Sequence, residues 1–225
     1  MFRTSTAKKL LITTTALAFV LAGTAPAQAS EELDRVDQVL TSDAPIDTFS
    51  SFSVDDQKLV SAEIKKSSSL TEELSEAIAR EDFPSAAKAT YEEILHPLEF
   101  AECVIDVDLF SCTNARNNSV TAVNAALAAF SAGTQRNGKG DAMRHCTWNA
   151  LMVHSIGFDA AVKIAFNHEV IWNGPANEVA MDKYNNGKGR IAGQKNATNS
   201  AATKQCKTWA TASALKPNSP LIVLQ

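Results

Sequence analysis

Three stretches of this chain set ionisable and amide side chains at helical spacing. They are Gly140-Asp141-Ala142-Met143-Arg144-His145-Cys146-Thr147-Trp148-Asn149, then His168-Glu169, then Met181-Asp182-Lys183-Tyr184-Asn185-Asn186-Gly187-Lys188-Gly189-Arg190. Such groups are costly to bury among apolar neighbours unless they are paired or do chemistry. In the first stretch Asp141, His145, Trp148, Asn149 and Met152 share one helical stripe. Asp141, one turn before His145, can accept from the imidazole and fix its tautomer, a pairing that serves general bases and metal ligands alike. Asp141 could equally cap the helix and leave His145 as a satisfied core histidine. Arg144 can pair with Asp141 or hold a substrate anion in its guanidinium fork. Trp148 and Met152 suit a core better than a binding shelf.

His168 and Glu169 project about 100° apart and can line one cleft without touching. Alternatively, His168 sits near a helix C-terminus, where its charge suits the dipole. In the third stretch Asp182 and Asn185 can reach back to orient His145 or His168, while Arg190 can hold a phosphate or carboxylate. Against this, Asn185-Asn186-Gly187 is turn chemistry and predicts a helix end near Asn186. Two histidines and several acids suffice for a dyad-driven hydrolase or for a divalent metal site. The catalytic candidates are therefore Asp141, His145, His168 and Glu169. The substrate-binding candidates are Arg144, Asn149, Asp182, Asn185, Asn186 and Arg190. His96, before a proline, and His154, off the stripe, stand outside the set. The acid spacing lacks the alternation of a calcium-binding EF-hand, and G-x-S-x-G, H-E-x-x-H and phosphate-loop strings are absent.

The first residues read as a secretion signal. Arg3, Lys8 and Lys9 precede a short apolar core, and Ala27-Gln28-Ala29 fits a small-x-small cleavage pattern. The core is too short for a comfortable span of ~20 residues, and no later stretch would span a bilayer. Loss of this segment removes three cations and no acid, which carries the formal charge of −4 further negative. An acidic balance argues against broad nucleic-acid binding. Most acids lie between Glu31 and Asp108, however, whereas Lys183 to Lys207 is basic, so an anionic small molecule, lipid or envelope substrate suits the C-terminal part. Four cysteines in an exported chain favour two disulfides, with three pairings open. The short spacing of Cys103 and Cys112 suggests a local bridge, leaving Cys146 with Cys206. A tetra-thiolate metal site ranks behind, because no C-x-x-C pair exists.

The periodicity predicts an all-α fold, a single compact helical domain with a short flexible N-terminal segment after the signal peptide. Residues 1–29 are the signal and 30–69 a Ser/Asp-rich leader with one short helix at 55–66. Residues 70–132 form an N-terminal helical half and 133–225 the motif-bearing half. Helices are predicted from residue 71, over 84–95, 119–132, 141–156, 159–171, 177–184 and 200–214. Residues 103–116 read as loop, with short extended pieces at 104–107.

Together the three blocks resemble a bacterial domain family of unknown function found in secreted and toxin-like proteins, over about residues 133–195. They match as Gly-Asp-Ala-x-Arg-His-x-x-Trp-Asn, His-Glu and Met-Asp-x-x-Asn-Asn-x-x-Gly-Arg. The resemblance implies a shared site without naming its chemistry. The histidine helix is also loosely similar to that of small secreted phospholipases A2, but their His-Asp-x-Cys-Tyr string and calcium loop are missing here. These features point to a secreted hydrolase of an ester, phosphoester or cell-envelope substrate. His145 or His168 would be its general base, Asp141 or Asp182 would orient that base, and Glu169 would act as acid or metal ligand. Asn149, Asn185 and Arg190 would stabilise developing negative charge. The alternatives are a non-catalytic envelope-binding module with a structural polar network, and a toxin or effector domain.

Overall fold

The structure, a computed structural model, describes residues 26–79, 97–172, 174–214 and 219–225. Every regular element among them is helical. The order is α1 (Pro26–Leu40), α2 (Pro45–Ser50), α3 (Val54–Lys66), α4 (Ser68–Ala79), α5 (Pro97–Asp106), α6 (Leu109–Ala129), a 3-10 turn (Ala132–Thr134), α7 (Lys139–Ile156), α8 (Phe158–Trp172), α9 (Ala176–Lys195) and α10 (Asn199–Thr211). The all-α, compact reading therefore holds. None of these helices is long and apolar enough to cross a membrane.

Local chemistry explains several boundaries. Ser53 accepts from the Asp56 N–H to open α3, Asp108 from the Ser111 N–H to open α6, and Thr198 from the Ala201 N–H to open α10. Gly157, at φ +87°, ends α7, and α8 starts at the next residue. Only a glycine takes that conformation without strain, so it folds α8 sharply back.

α7 is the central element, buried without a break from Gly140 to Met152. Two apolar clusters meet on it. Trp148 and Met152 join Phe100 and Val104 of α5, Leu109 and Ala115 of α6 and Ile164 of α8, together with Val36, Phe49, Ile64 and Leu74 from α1–α4. The Trp148 indole N–H donates to the Ala115 carbonyl at 2.9 Å, which satisfies its polar end inside the core. Ala142, Cys146 and Ala150 face the second cluster, with Ala192 of α9, Ala202 and Cys206 of α10, and Leu221 and Val223. Disulfides join Cys103 to Cys112 across the α5–α6 turn and Cys146 to Cys206 between α7 and α10.

The structure departs from the sequence expectations in three places. Residues 30–69, read as a leader with one short helix, contain α1 and α2 as well as α3. Val36, Val39, Ile46 and Phe49 anchor them in the core despite polar surroundings. Residues 103–116 are not loop with extended pieces but the end of α5 and the start of α6. β-Branched Val104 packs against the core, and tertiary burial overrides its weak strand preference. α9 does not stop near Asn186 but runs to Lys195. The predicted helix at 84–95 and most of the signal segment lie outside the described residues.

Candidate functional site

α7 and α9 cross at backbone contact. A methyl built at Gly189 would collide with the Cys146 carbonyl oxygen, and one at Gly193 would stand 2.8 Å from the Ala150 carbonyl oxygen. Two glycines four apart on α9, facing small residues of α7, permit this approach. It brings Asp182, Asn186 and Arg190 of α9 against Asp141, Arg144, His145 and Asn149 of α7, with His168 and Glu169 of α8 alongside.

The polarity of the cluster can be followed from one end. Arg190, which can only donate, gives Nη1–H to Asn149 Oδ1 at 2.8 Å. Asn149 therefore presents Nδ2 to Asn186 Oδ1 at 2.7 Å. The same Asn186 oxygen lies 3.1 Å from His145 Nδ1, so that ring nitrogen must carry the proton. Asn186 Nδ2 donates onward to Glu169 Oε1 at 2.8 Å. The chain of amides thus fixes the tautomer and turns His145 Nε2 toward two carboxylates. Asp141 Oδ1 and Asp182 Oδ1 each lie 3.4 Å from it. Asp141 is held in turn by Arg144 Nη2 at 2.5 Å and by the Asn137 backbone N–H at 2.6 Å.

His168 makes a separate pair. Its Nδ1 lies 2.7 Å from Glu99 Oε1 of α5, and its ring stands edge-on to Trp148 with centroids 5.3 Å apart. The two histidine rings are 6.0 Å apart, so His168 backs the cluster without joining its hydrogen-bond chain.

Burial and charge set the proton affinities. Burial opposes the charged form of His145, but Asp182 and Asp141 outweigh both it and Arg144 and hold the ring at about 9. Burial pushes Asp182 up to about 6, against the pull of His145 and with help from Asp141 and Glu169. Burial also opposes charge on Asp141, yet Arg144 and His145 keep that carboxyl well below the usual carboxylate range. Burial lowers the half-buried Arg190. Asp182, 15% exposed, and Arg190 form the solvent-facing edge, because the other members are sealed. Among the described residues, Asp182 Oδ1, Arg144 Nε and Nη1 and Thr147 Oγ1 are buried without a hydrogen-bond partner. A hollow of about 460 Å³ lies elsewhere, lined by Asn118, Thr121, Thr203 and Lys204 among others, and no motif residue borders it.

The model of one family, described as Domain of unknown function (DUF6973), matches residues 103–215, half of the chain. The chain belongs to that family. No curated protein and no solved structure matches it. The DUF6973 match contains α7, α8 and α9, and so nearly the whole polar cluster. It excludes Glu99, the partner of His168.

Of the residues singled out in the sequence, Asp141, Arg144, His145, Asn149, His168, Glu169, Asp182, Asn186 and Arg190 come together. Asn185 does not. It points away and clamps Ile222, donating to that carbonyl and accepting from that N–H, each at 2.9 Å. His154 binds Asn199 and the Gly193 carbonyl at the far end of α7. Sequence reasoning missed Glu99, although a lone acid between Leu98 and Phe100 was a visible signal. It also missed the Asn137 N–H, for which the sequence carries no signal.

Proposed function

We propose that this DUF6973 chain is an exported hydrolase of an ester, phosphoester or cell-envelope substrate, with Asp182 and His145 as its proton-transferring pair. The carrying observation is that His145 Nε2 faces two carboxylates at 3.4 Å, one of them at the solvent edge. A ring held at about 9 bears its proton at neutral pH, which supports His145 as acid rather than as the base the sequence suggests. Asp182, raised to about 6 and still ionised at neutral pH, suits the base. It would take a proton from water as the water oxygen attacks the carbonyl carbon or phosphorus. His145 would give its Nε2 proton to the departing oxygen. The Asp182 proton then passes across the 3.4 Å gap to His145 and resets the pair. Arg190 at the same edge suits an anionic substrate group. Two disulfides suit an oxidising compartment. The likeness of the motif blocks to secreted bacterial proteins supports an extracytoplasmic substrate.

Turnover on a panel of activated esters, phosphodiesters, phospholipid vesicles and cell wall tests this. Asp182→Asn and His145→Gln should each lower kcat by about 10²–10⁴. No turnover by the unaltered protein on any substrate would end the proposal.

Burial favours one alternative, a non-catalytic envelope-binding module. Asp141, Arg144, His145, Asn149, His168, Glu169 and Asn186 are each 5% exposed or less, as suits a network that locks helices together. Turnover separates the two. Loss of stability in His145→Ala and Asp141→Ala is expected under both readings. A purely structural network predicts no turnover on any substrate, whereas a catalytic site predicts turnover that Asp182→Asn, the more exposed member, lowers.

A further inference from the structure

We propose that Asp141, His145 and Asp182 together hold one divalent transition-metal ion, with zinc the best fit, and that water completes its shell. Their three ligand atoms lie within 4.8 Å of one another. Two details separate this group from an ordinary buried ion pair. The 3.4 Å from His145 Nε2 to each carboxylate oxygen exceeds the usual N–H···O range of about 2.7–3.2 Å. It matches instead the edge of a tetrahedron with bonds of about 2.0–2.1 Å, roughly 3.3 Å.

The second detail is the outer support. A metal-binding histidine gives its other ring N–H to a fixed acceptor, and here Nδ1–H is committed to Asn186, whose orientation is set by the chain from Arg190 through Asn149. Asp141 is fixed by the Asn137 N–H at Oδ2, while Arg144 Nη2 donates to Oδ1, the ligand atom itself, which would keep its second lone pair for the ion. Asp182 Oδ1 is buried and accepts no hydrogen bond, so a lone pair faces the cluster unused. Arg144 weakens the site for a cation, but the cluster sets three carboxyl groups, Asp141, Glu169 and Asp182, beside two guanidiniums. Three protein ligands with one open position is the pattern of a catalytic rather than a structural zinc site.

The proposal rests on the hydrolase reading and changes its roles: with an ion at Nε2, His145 would hold the metal instead of giving a proton, and metal-bound water would be the nucleophile. The ion would take the place of the Nε2 proton, put two positive charges where that proton puts one, and would bring the pKa of bound water to about 7.

The test is binding, read without turnover. Mature protein with disulfides intact is stripped with EDTA, dialysed and titrated with zinc chloride by calorimetry, with a thermal melt at each end point. We expect one zinc per chain, a raised Tm, and at least a tenfold weaker Kd in Asp182→Asn, the least buried ligand and the variant best placed to fold. His154→Ala, a histidine remote from the cluster, should bind as the unaltered protein does. Cobalt loaded in place of zinc should show the intense visible bands of a tetrahedral site, and these should be lost in Asp182→Asn. Absence of zinc uptake, undiminished binding by Asp182→Asn, or loss of binding in His154→Ala would overturn the proposal. Zinc uptake without turnover on any substrate would sustain the metal site and remove the hydrolase. Full turnover in EDTA with no uptake would do the reverse.

Discussion

Replacing Gly189 with alanine tests whether the close α7–α9 crossing builds the site. The added methyl would stand 2.8 Å from Asn149 Cβ and overlap the Cys146 carbonyl oxygen. Ordinary contacts need about 3.5–4.0 Å, so α9 must withdraw by roughly 1 Å at this point. That shift carries the Asn149–Asn186 and His145–Asn186 contacts, now 2.7 and 3.1 Å, beyond hydrogen-bond range. Overpacking costs about 1–3 kcal/mol, and two weakened hydrogen bonds add about 1 kcal/mol each. Alanine returns about 1 kcal/mol of helix propensity. The net loss of about 2–4 kcal/mol lowers Tm by roughly 5–15 °C for a domain of this size. Gly187→Ala is the control. It lies on the same helix, and its methyl would meet only Arg190 Nη2, at 3.8 Å. That variant should gain up to about 1 kcal/mol. Thermal melts of both variants, with NMR of the His145 ring, read the outcome. A Gly189→Ala protein that melts like its parent, or a Gly187→Ala protein that loses as much, would refute the reasoning.

The remaining predictions concern the polar chain and its neighbours. His145 is held at about 9 against an ordinary 6.5. The stability this brings is complete below pH 6.5 and disappears as pH rises through 9. In EDTA, unfolding free energy should fall across that window by an amount on the order of 3 kcal/mol, and His145→Gln should flatten the profile. A flat profile in the unaltered protein would contradict the assignment. Asn186→Leu strands the His145 Nδ1–H, the Asn149 amide and Glu169 at once. It should cost about 2–4 kcal/mol in urea titrations, and a cost near zero would show that the chain is not formed. Asn185→Ala should speed amide exchange at Ile222 while leaving turnover and zinc binding unchanged. Loss of either would put Asn185 back in the site.

Much of the fold was legible because its signals are local. The helix predicted over 141–156 ends at Ile156 in α7, the 55–66 helix appeared at Val54–Lys66 behind its Ser53 cap, and apolar periodicity marked α8 and α10. The residues read wrongly were those whose partners lie far along the chain. Val104 looked extended until its packing with α5–α8 was visible. Asn185 and Asn186 looked like a stop because isolated asparagines favour turns. A part-buried hydrogen bond to Ile222 on one side and a buried one to Glu169 on the other hold α9 through them. Glu99 escaped notice because its partner His168 is 69 residues away.

By itself the sequence determined an all-helical chain with three polar blocks, because repeat spacing and caps act within one or two turns. It could place Asp141 beneath His145 but could not tell a base from an acid. Only the tertiary structure set the charges around that ring. Proton affinity depends on which charges from α7, α8 and α9 meet a given ring at a few ångströms. Two glycines on α9 set that meeting, and it sends adjacent Asn185 and Asn186 to opposite duties.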